Sequence, residues 1–366
     1  MSVADKLADN ISFARGPDWR NRFALAPLTN LQSNEDGTLG DDEYNFLVRR
    51  GEGGFGLVMT CAAHVSKQGQ AFPGQLGTFA DEQIDGLTRL AAGIKSTGAI
   101  ASAQLQHAGQ RAKPELSGTD VVAPWDIPKR GVRAMTTAEV EQMVQDFIDA
   151  AVRCEKAGFD GVELHGAHGY VLCAFMSKDR NNRTDQYGGS YENRTRVYHE
   201  IIEGIRKATG PQFQLGLRFS PEKYGYPFEE ALRFATEMLQ DQRLDYLDMS
   251  LWDSFKEPDE EEYHGKRLVD WFSALPRKNV RLGIAGKLFS AHDAKQCMDA
   301  GADFVFIGRG AILHPDFPKL ATADANFVSD QFPVTCAHLN ALAVGPAFVE
   351  YLATGWTNYV SDWQES

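Results

Sequence analysis

Cysteine is scarce and scattered in this 366-residue chain: Cys61, Cys154, Cys173, Cys297 and Cys336 are its five, and no two form a Cys-x-x-Cys pair. That spacing excludes the disulfide framework of small secreted domains and gives zinc or an iron–sulfur cluster no recognisable ligand set. Long apolar runs are missing too. No stretch reaches the ~18 residues of a membrane span, and the N-terminal segment has neither a signal-peptide core nor a basic amphipathic pattern. Positive charge is in deficit: 37 Lys and Arg stand against 50 Asp and Glu, a formal charge of −13. Such a chain repels phosphate backbones and anionic lipid, which excludes nucleic acid and membrane surfaces as partners. Free thiols and a cytoplasmic location are expected.

What is present suits a large packed core, with 43% hydrophobic residues and 34 glycines. Short apolar runs at 23–28, 57–62, 100–105, 161–164, 215–219, 246–250, 280–285 and 304–307 alternate with helix-like segments at 43–52, 81–97, 137–157, 193–208, 228–240, 265–275 and 290–300. Continuous hydrophobicity within the runs implies burial on both faces, as in parallel strands. Eight such units predict a single-domain (β/α)₈ barrel over residues 1–366, with its core at about 21–322 and a C-terminal tail at 323–366. A doubly wound sheet more often stops at five or six strands. Thr136 to Glu139 reads as a capping box, Gly158 as a helix stop, and Ser290 as the cap of a helix ending at Gly301. The tail has no strand signal. It belongs either across the barrel or at a subunit contact, which leaves a homo-oligomer open.

Two long excursions, 107–135 and 165–192, leave strand C-termini, where barrel active sites are built. The second opens with His165-Gly166-Ala167-His168-Gly169-Tyr170, three hydrogen-bonding side chains at a barrel mouth. A metal pair is the weaker reading, since no third ligand or His-Glu-x-x-His helix accompanies it. On the fifth run, Arg218 sits alone among apolar residues, so burial demands an anionic partner. Asp248 is the plain candidate. The seventh and eighth runs end in Gly286-Lys287 and Gly308-Arg309, the loop pair that commonly binds phosphate in barrels. A phosphate-bearing ligand follows from that placement.

The stretch Asn181 to Arg194, NNRTDQYGGSYENR, taken with HGAHGY, closely resembles the Old Yellow Enzyme family of FMN-dependent ene reductases, and further matches run from Asn21 to Gly310. The resemblance implies an FMN site made by Pro27, Thr29, Ala62, Gln104, Arg218, Gly286, Lys287, Gly308 and Arg309. Thr29 would tune the flavin and Gln104 would pair with its pyrimidine edge. Arg218 would then face the charge of the reduced ring instead of Asp248. It further implies that NADH or NADPH reduces FMN, which passes hydride to the Cβ of an α,β-unsaturated carbonyl or nitroalkene. His165 and His168 would bind the activating oxygen of that small-molecule substrate, and Tyr170 would protonate Cα. His107 reads as structural.

The sequence departs from one branch of that family at two places. Thr29 stands where that branch has cysteine, and Thr354 where it carries an arginine that reaches a neighbouring subunit. Lys178 also replaces a usual proline. Two other classes compete. A phosphosugar aldolase or isomerase would need a lysine or carboxylate base at a strand end, and no lysine lies within the predicted strands. A non-catalytic FMN carrier would be yellow without being bleached by nucleotide.

Overall fold

The computed structural model describes residues 3–364. Eight parallel strands close into one barrel: Phe23–Leu25, Leu57–His64, Ile100–Gln106, Gly161–Gly166, Gln214–Phe219, Tyr246–Ser250, Arg281–Ala285 and Phe304–Ile307. Each falls on an expected run. The first is three residues long because Ala26 N–H, bonded to Ile307 O at 3.0 Å, is its last rung. Pro27 follows with no N–H to donate, and the chain leaves the sheet toward the barrel mouth. The second strand runs on to His64, with a register irregularity between Met59 and Ala62.

The helices expected between strands are Asp41–Glu52, Ile84–Ser96, Thr137–Lys156, Tyr191–Ala208, Phe228–Gln240, Leu268–Ser273 and Ala291–Ala300. Their ends follow the cap chemistry. Thr136 Oγ1 accepts from Glu139 N–H while the Glu139 carboxylate accepts from Thr136 N–H, Gly158 and Gly301 take positive φ of 87° and 114°, and Ser290 accepts from Asp293 N–H. The excursion at 107–135 contains two short paired strands, Val121–Ala123 and Val132–Ala134, that the periodicity did not announce. They are three residues each, too short for a period to register.

The barrel interior divides by height. Its lower half is aromatic: Trp19, from a segment crossing the base, packs on Phe304 at 4.8 Å and Tyr246 at 5.5 Å between ring centroids. Gly216 makes room for this filling, since a Cβ there would lie 2.1 Å from the Tyr246 ring. Its upper half is polar. Parallel register pairs Gln104 with Glu163, His165 with Arg218, and Arg218 with Asp248, and period-two alternation turns Glu163 and His165 to the same face. Charged groups therefore collect inside, directly below the mouth.

The segment Asn181–Arg194 is a hydrogen-bonded scaffold. Asn181 Nδ2 donates to Phe175 O at 2.7 Å and Tyr187 O at 2.9 Å, Arg194 forks onto Glu230 at 3.0 and 2.8 Å, and Arg183 pairs with Asp185. Those bonds fasten the loop after the fourth strand to the helices behind it. The tail settles across the mouth: Pro346–Gly355 is a helix whose Phe348 packs edge-on against Phe46 at 5.5 Å.

Candidate active site

The strand C-termini open onto one cleft made of two adjoining cavities, of about 290 Å³ and about 500 Å³. Pro27, Leu28, His168, Arg218, Trp252, Arg309 and Trp356 line both. The smaller holds Thr29, Ala62, Gln104, His165 and Tyr170; the larger holds Gly286, Lys287 and Gly308. All twelve residues expected at the site therefore border it, although they come from seven different strand ends. The division matches a flat ring at one end and a phosphate tail at the other.

The two imidazoles are bonded to each other. His165 Nε2 and His168 Nδ1 lie 2.9 Å apart, and His168 Nε2 meets Ser250 Oγ at 2.8 Å. His168 reaches this position from a left-handed backbone conformation, φ 60°, a local strain typical of functional loops. Burial, then the charges of nearby groups including Arg218 and Arg111, holds both imidazoles well below the usual histidine range. They are neutral, and each carries one N–H. His165 Nδ1 is buried without a protein partner. No group of three or more His, Cys, Asp or Glu among the described residues is arranged to hold a metal ion.

Tyr170 stands beside them, its ring centroid 4.9 Å from that of His165. Burial raises its phenol above the ordinary value, while the Arg111 guanidinium, 5.2 Å from the ring centroid, opposes the rise. The hydroxyl stays protonated and able to give up a proton. Tyr170 is the N-cap of the short helix Val171–Phe175, and the scaffold behind that helix fixes the phenol's place.

Arg218 is paired with Asp248. Its Nε lies 3.1 Å from Asp248 Oδ2, and Nη2 donates to Ser250 Oγ at 3.4 Å. The contact to Asp248 is an ion pair without hydrogen-bond alignment, since Arg218 Nε and both Asp248 oxygens lack hydrogen-bond partners. Gln104 Nε2 donates to Glu163 Oε1 at 2.8 Å, while Glu163 Oε2 has no partner. Burial first, and each other's proximity, push the buried Glu163 carboxyl up; burial does the same to Asp248 against the pull of Arg218. Arg218 thus borders the cleft with its charge only partly satisfied from below.

At the other end, Gly308 caps the helix Arg309–Leu313 without a side-chain cap, and only Leu28 and Ala26 approach within 4 Å of a Cβ built there. The Arg309 guanidinium lies 5.0 Å from the Phe289 ring centroid. Lys287 takes φ 52° and pairs with Asp253 at 2.9 Å, so its ammonium is already engaged. This donor set fits FMN: a small residue at Ala62, an amide at Gln104 and a cation at Arg218 suit a polar flavin edge, and glycine backbone with Arg309 suits a phosphate.

His107 is structural, as expected: buried, and its Nδ1 accepts from Gly109 N–H at 3.0 Å. Thr354 folds its hydroxyl back onto Glu350 O at 2.9 Å. Lys178 lies 3.8 Å from Glu230 on the surface. Several residues at the cleft or just beneath it went unforeseen. Glu163 was visible on the logic applied to Arg218, a lone charge in a buried run. Arg111, Ser250 and Trp252 carried no spacing signal, and Phe348, Tyr351 and Leu352 arrive from the tail.

The chain matches the NADH:flavin oxidoreductase / NADH oxidase family over residues 15–326. It is 36% identical over 321 residues to a probable NADH-dependent flavin oxidoreductase of Bacillus subtilis, covering 85% of this chain and 86% of the relative. It is 33% identical over 341 residues to an NADH:acrylate oxidoreductase of Vibrio harveyi, covering 87% of this chain and 33% of that longer protein. Among solved structures, an old yellow enzyme homologue from Zymomonas mobilis is similar at a TM-score of 0.78 and 25% identity, over 91% of this chain and 96% of the other. With fold, cleft and sequence in agreement along most of its length, the chain belongs to the NADH:flavin oxidoreductase / NADH oxidase family of Old Yellow Enzyme relatives, and it works with FMN and NADH or NADPH.

Proposed function

We propose that the protein reduces the carbon–carbon double bond of small electron-poor alkenes, α,β-unsaturated carbonyl compounds or nitroalkenes. The observation that carries this reading is the grouping of two neutral imidazoles and a protonated phenol in the cavity that also contains Thr29, Ala62 and Gln104. FMN, when bound, supplies the hydride chemistry that links the nicotinamide nucleotide to the alkene. Pro27, Thr29, Ala62, Gln104 and Arg218 would hold its ring, and Gly286, Lys287, Gly308 and Arg309 its phosphate end.

The protein's own part is binding and proton movement. His165 and His168 donate to the substrate oxygen, exchanging their mutual bond for bonds to a group whose negative charge grows during reduction. Tyr170 Oη gives a proton to Cα, a general-acid step. The tail residues Phe348, Tyr351 and Leu352 keep water from the cavity. The name of the Vibrio relative supports this class, since acrylate is an electron-poor alkene.

The test is anaerobic stopped-flow with Tyr170→Phe. The expected result is a loss of about 10²- to 10⁴-fold in alkene reduction, with flavin reduction by NADH or NADPH retained. Equal loss of both half-reactions overturns the role of Tyr170, and wild-type protein inert toward every enone and nitroalkene offered overturns the proposal.

A further inference from the structure

Arg111 is a cation without a counter-charge at the substrate end of the cleft. It closes the turn Gly109–Arg111, and the backbone there is fixed by Arg111 N–H to Ala108 O at 3.1 Å, Ala112 N–H to Gly109 O at 2.9 Å and Gly109 N–H to His107 Nδ1 at 3.0 Å. Its guanidinium lies over the Tyr170 ring and reaches Gly169, where a Cβ would stand 3.4 Å from Nη2. Among the described residues Arg111 makes no ion pair, whereas Arg218 has Asp248 and Lys287 has Asp253.

The cavity around it has a charge pattern opposite to that of the molecule. Arg111, Arg218 and Arg309 all border it and no Asp or Glu does, although acidic groups outnumber basic ones to give the chain −13. Arg218 is buried against Asp248 and Arg309 is half-buried, whereas Arg111 is exposed at the rim, so an anion entering the cavity meets a guanidinium for which no acid competes. The cofactor's phosphate and polar ring edge, when bound, would answer Arg309 and Arg218. Nothing in that account answers Arg111, which sits on the side of the two imidazoles and the phenol.

We propose that Arg111 is a specificity-determining residue that binds a carboxylate carried by the alkene, so that the preferred substrates are anionic unsaturated acids rather than neutral enones. This rests on the alkene-reductase reading of the same site. A guanidinium matches a carboxylate through two parallel N–H donors, and the planar fork is worth more than a point charge in a partly desolvated cavity. The phosphates of the nicotinamide nucleotide are the other anion available, and the experiment separates the two.

Fumarate and dimethyl fumarate share one double bond and differ in charge. With the wild-type holoprotein, both should be reduced and succinate should bind in calorimetry. Arg111→Gln, checked for unchanged FMN content, should lower the ratio of kcat/KM for the acid to that for the ester by about 10- to 100-fold, the worth of one charge-assisted interaction, and abolish succinate binding. Arg111→Lys should recover part of it. Any effect passed through Tyr170 moves acid and ester together and leaves the ratio alone. An unchanged ratio overturns the proposal, as does a rise confined to the KM for NADH or NADPH, which would assign the cation to the nucleotide. Reduction of the ester with no acid reduction or succinate binding sinks this inference alone; failure with both substrates and with neutral enones sinks the reading beneath it.

Discussion

His165 Nε2 and His168 Nδ1 are hydrogen-bonded to each other at 2.9 Å, and His168 passes the chain on to Ser250. Two neutral imidazoles so joined do not act as independent donors. An oxygen can accept from both only if that bond gives way, so removing either ring also frees the other from its present orientation. Each single change, His165→Ala or His168→Ala, should therefore cost about 10²- to 10³-fold in alkene reduction, with the double variant much less impaired than the product of the two. A double-mutant cycle on the oxidative half-reaction checks this, and strictly multiplicative losses would contradict the coupling.

Both imidazoles are held well below the usual histidine range by burial, and burial raises the Tyr170 phenol. The protonation states proposed for catalysis, two neutral rings and an intact hydroxyl, accordingly persist across the neutral range. Alkene reduction measured in single turnover should be flat between about pH 6 and 8, and should fall only on the alkaline side as the phenol ionises. A limb near the ordinary histidine value of about 6.5 would show that an imidazole titrates during the reaction.

Glu163 gives a stability effect whose sign can be worked out. Its carboxyl is pushed up to about 8, first by burial and then by the charge of Asp248. A carboxyl with a raised folded-state value binds its proton more tightly folded than unfolded, so folding is favoured least once that proton is lost. Stability should decline as pH rises from the ordinary carboxylate range through about 8. Glu163→Gln keeps the shape and an acceptor for Gln104 but has nothing to ionise. Denaturant unfolding at about pH 5 and pH 9 should show the wild type losing a few kcal/mol more than the variant over that interval; parallel losses would mean Glu163 stays charged throughout.

Arg309 tests the phosphate end. It stands at the start of the helix after the eighth strand, beside the uncapped Gly308. Arg309→Ala removes one charge-assisted contact, worth ~1.5–3 kcal/mol, and should weaken FMN binding by about 10- to 100-fold without moving the apoprotein's unfolding midpoint. Flavin fluorescence titration reads the first and calorimetry the second. An unchanged FMN affinity would place the phosphate elsewhere.

The barrel was legible because each strand is buried on both faces and so reads as a continuous apolar run, and because Thr136, Glu139, Ser290 and Gly301 carry cap chemistry whose effect is local. Site residues on strand ends were legible for the same reason: the fold alone brings Thr29, Gln104, Arg218 and Arg309 to one rim. Arg218 shows where such reading stops, since register places Asp248 beside it and a lone buried charge does not say which anion it meets. Arg111 and the tail residues were not legible at all. Their position depends on how loops fold back over the mouth, and no period or motif encodes a contact between Tyr351 and a cavity whose other walls are spread from Pro27 to Ile312.

That tail is held by an unusual clasp. Arg50, fully buried on the helix Asp41–Glu52, has no carboxylate partner among the described residues and donates instead to four carbonyls: Phe46 O at 3.1 Å, Ala311 O at 3.1 Å, Ile312 O at 3.1 Å and Leu342 O at 2.8 Å. Its guanidinium also lies 3.6 Å from the Phe46 ring centroid, and Phe46 in turn packs on Phe348. One side chain thus ties the helix after the first strand to the end of the eighth βα unit and to the segment that roofs the cavity. Arg50→Met keeps most of the apolar bulk and removes every donor, leaving several carbonyls without partners at ~1–3 kcal/mol each. The expected outcome is a lowered unfolding midpoint, together with hydrogen exchange that quickens at Phe348–Leu352 before the barrel strands change. A variant whose exchange rises evenly over the barrel and tail would mean that Arg50 braces the whole fold and gives the roof no separate hold.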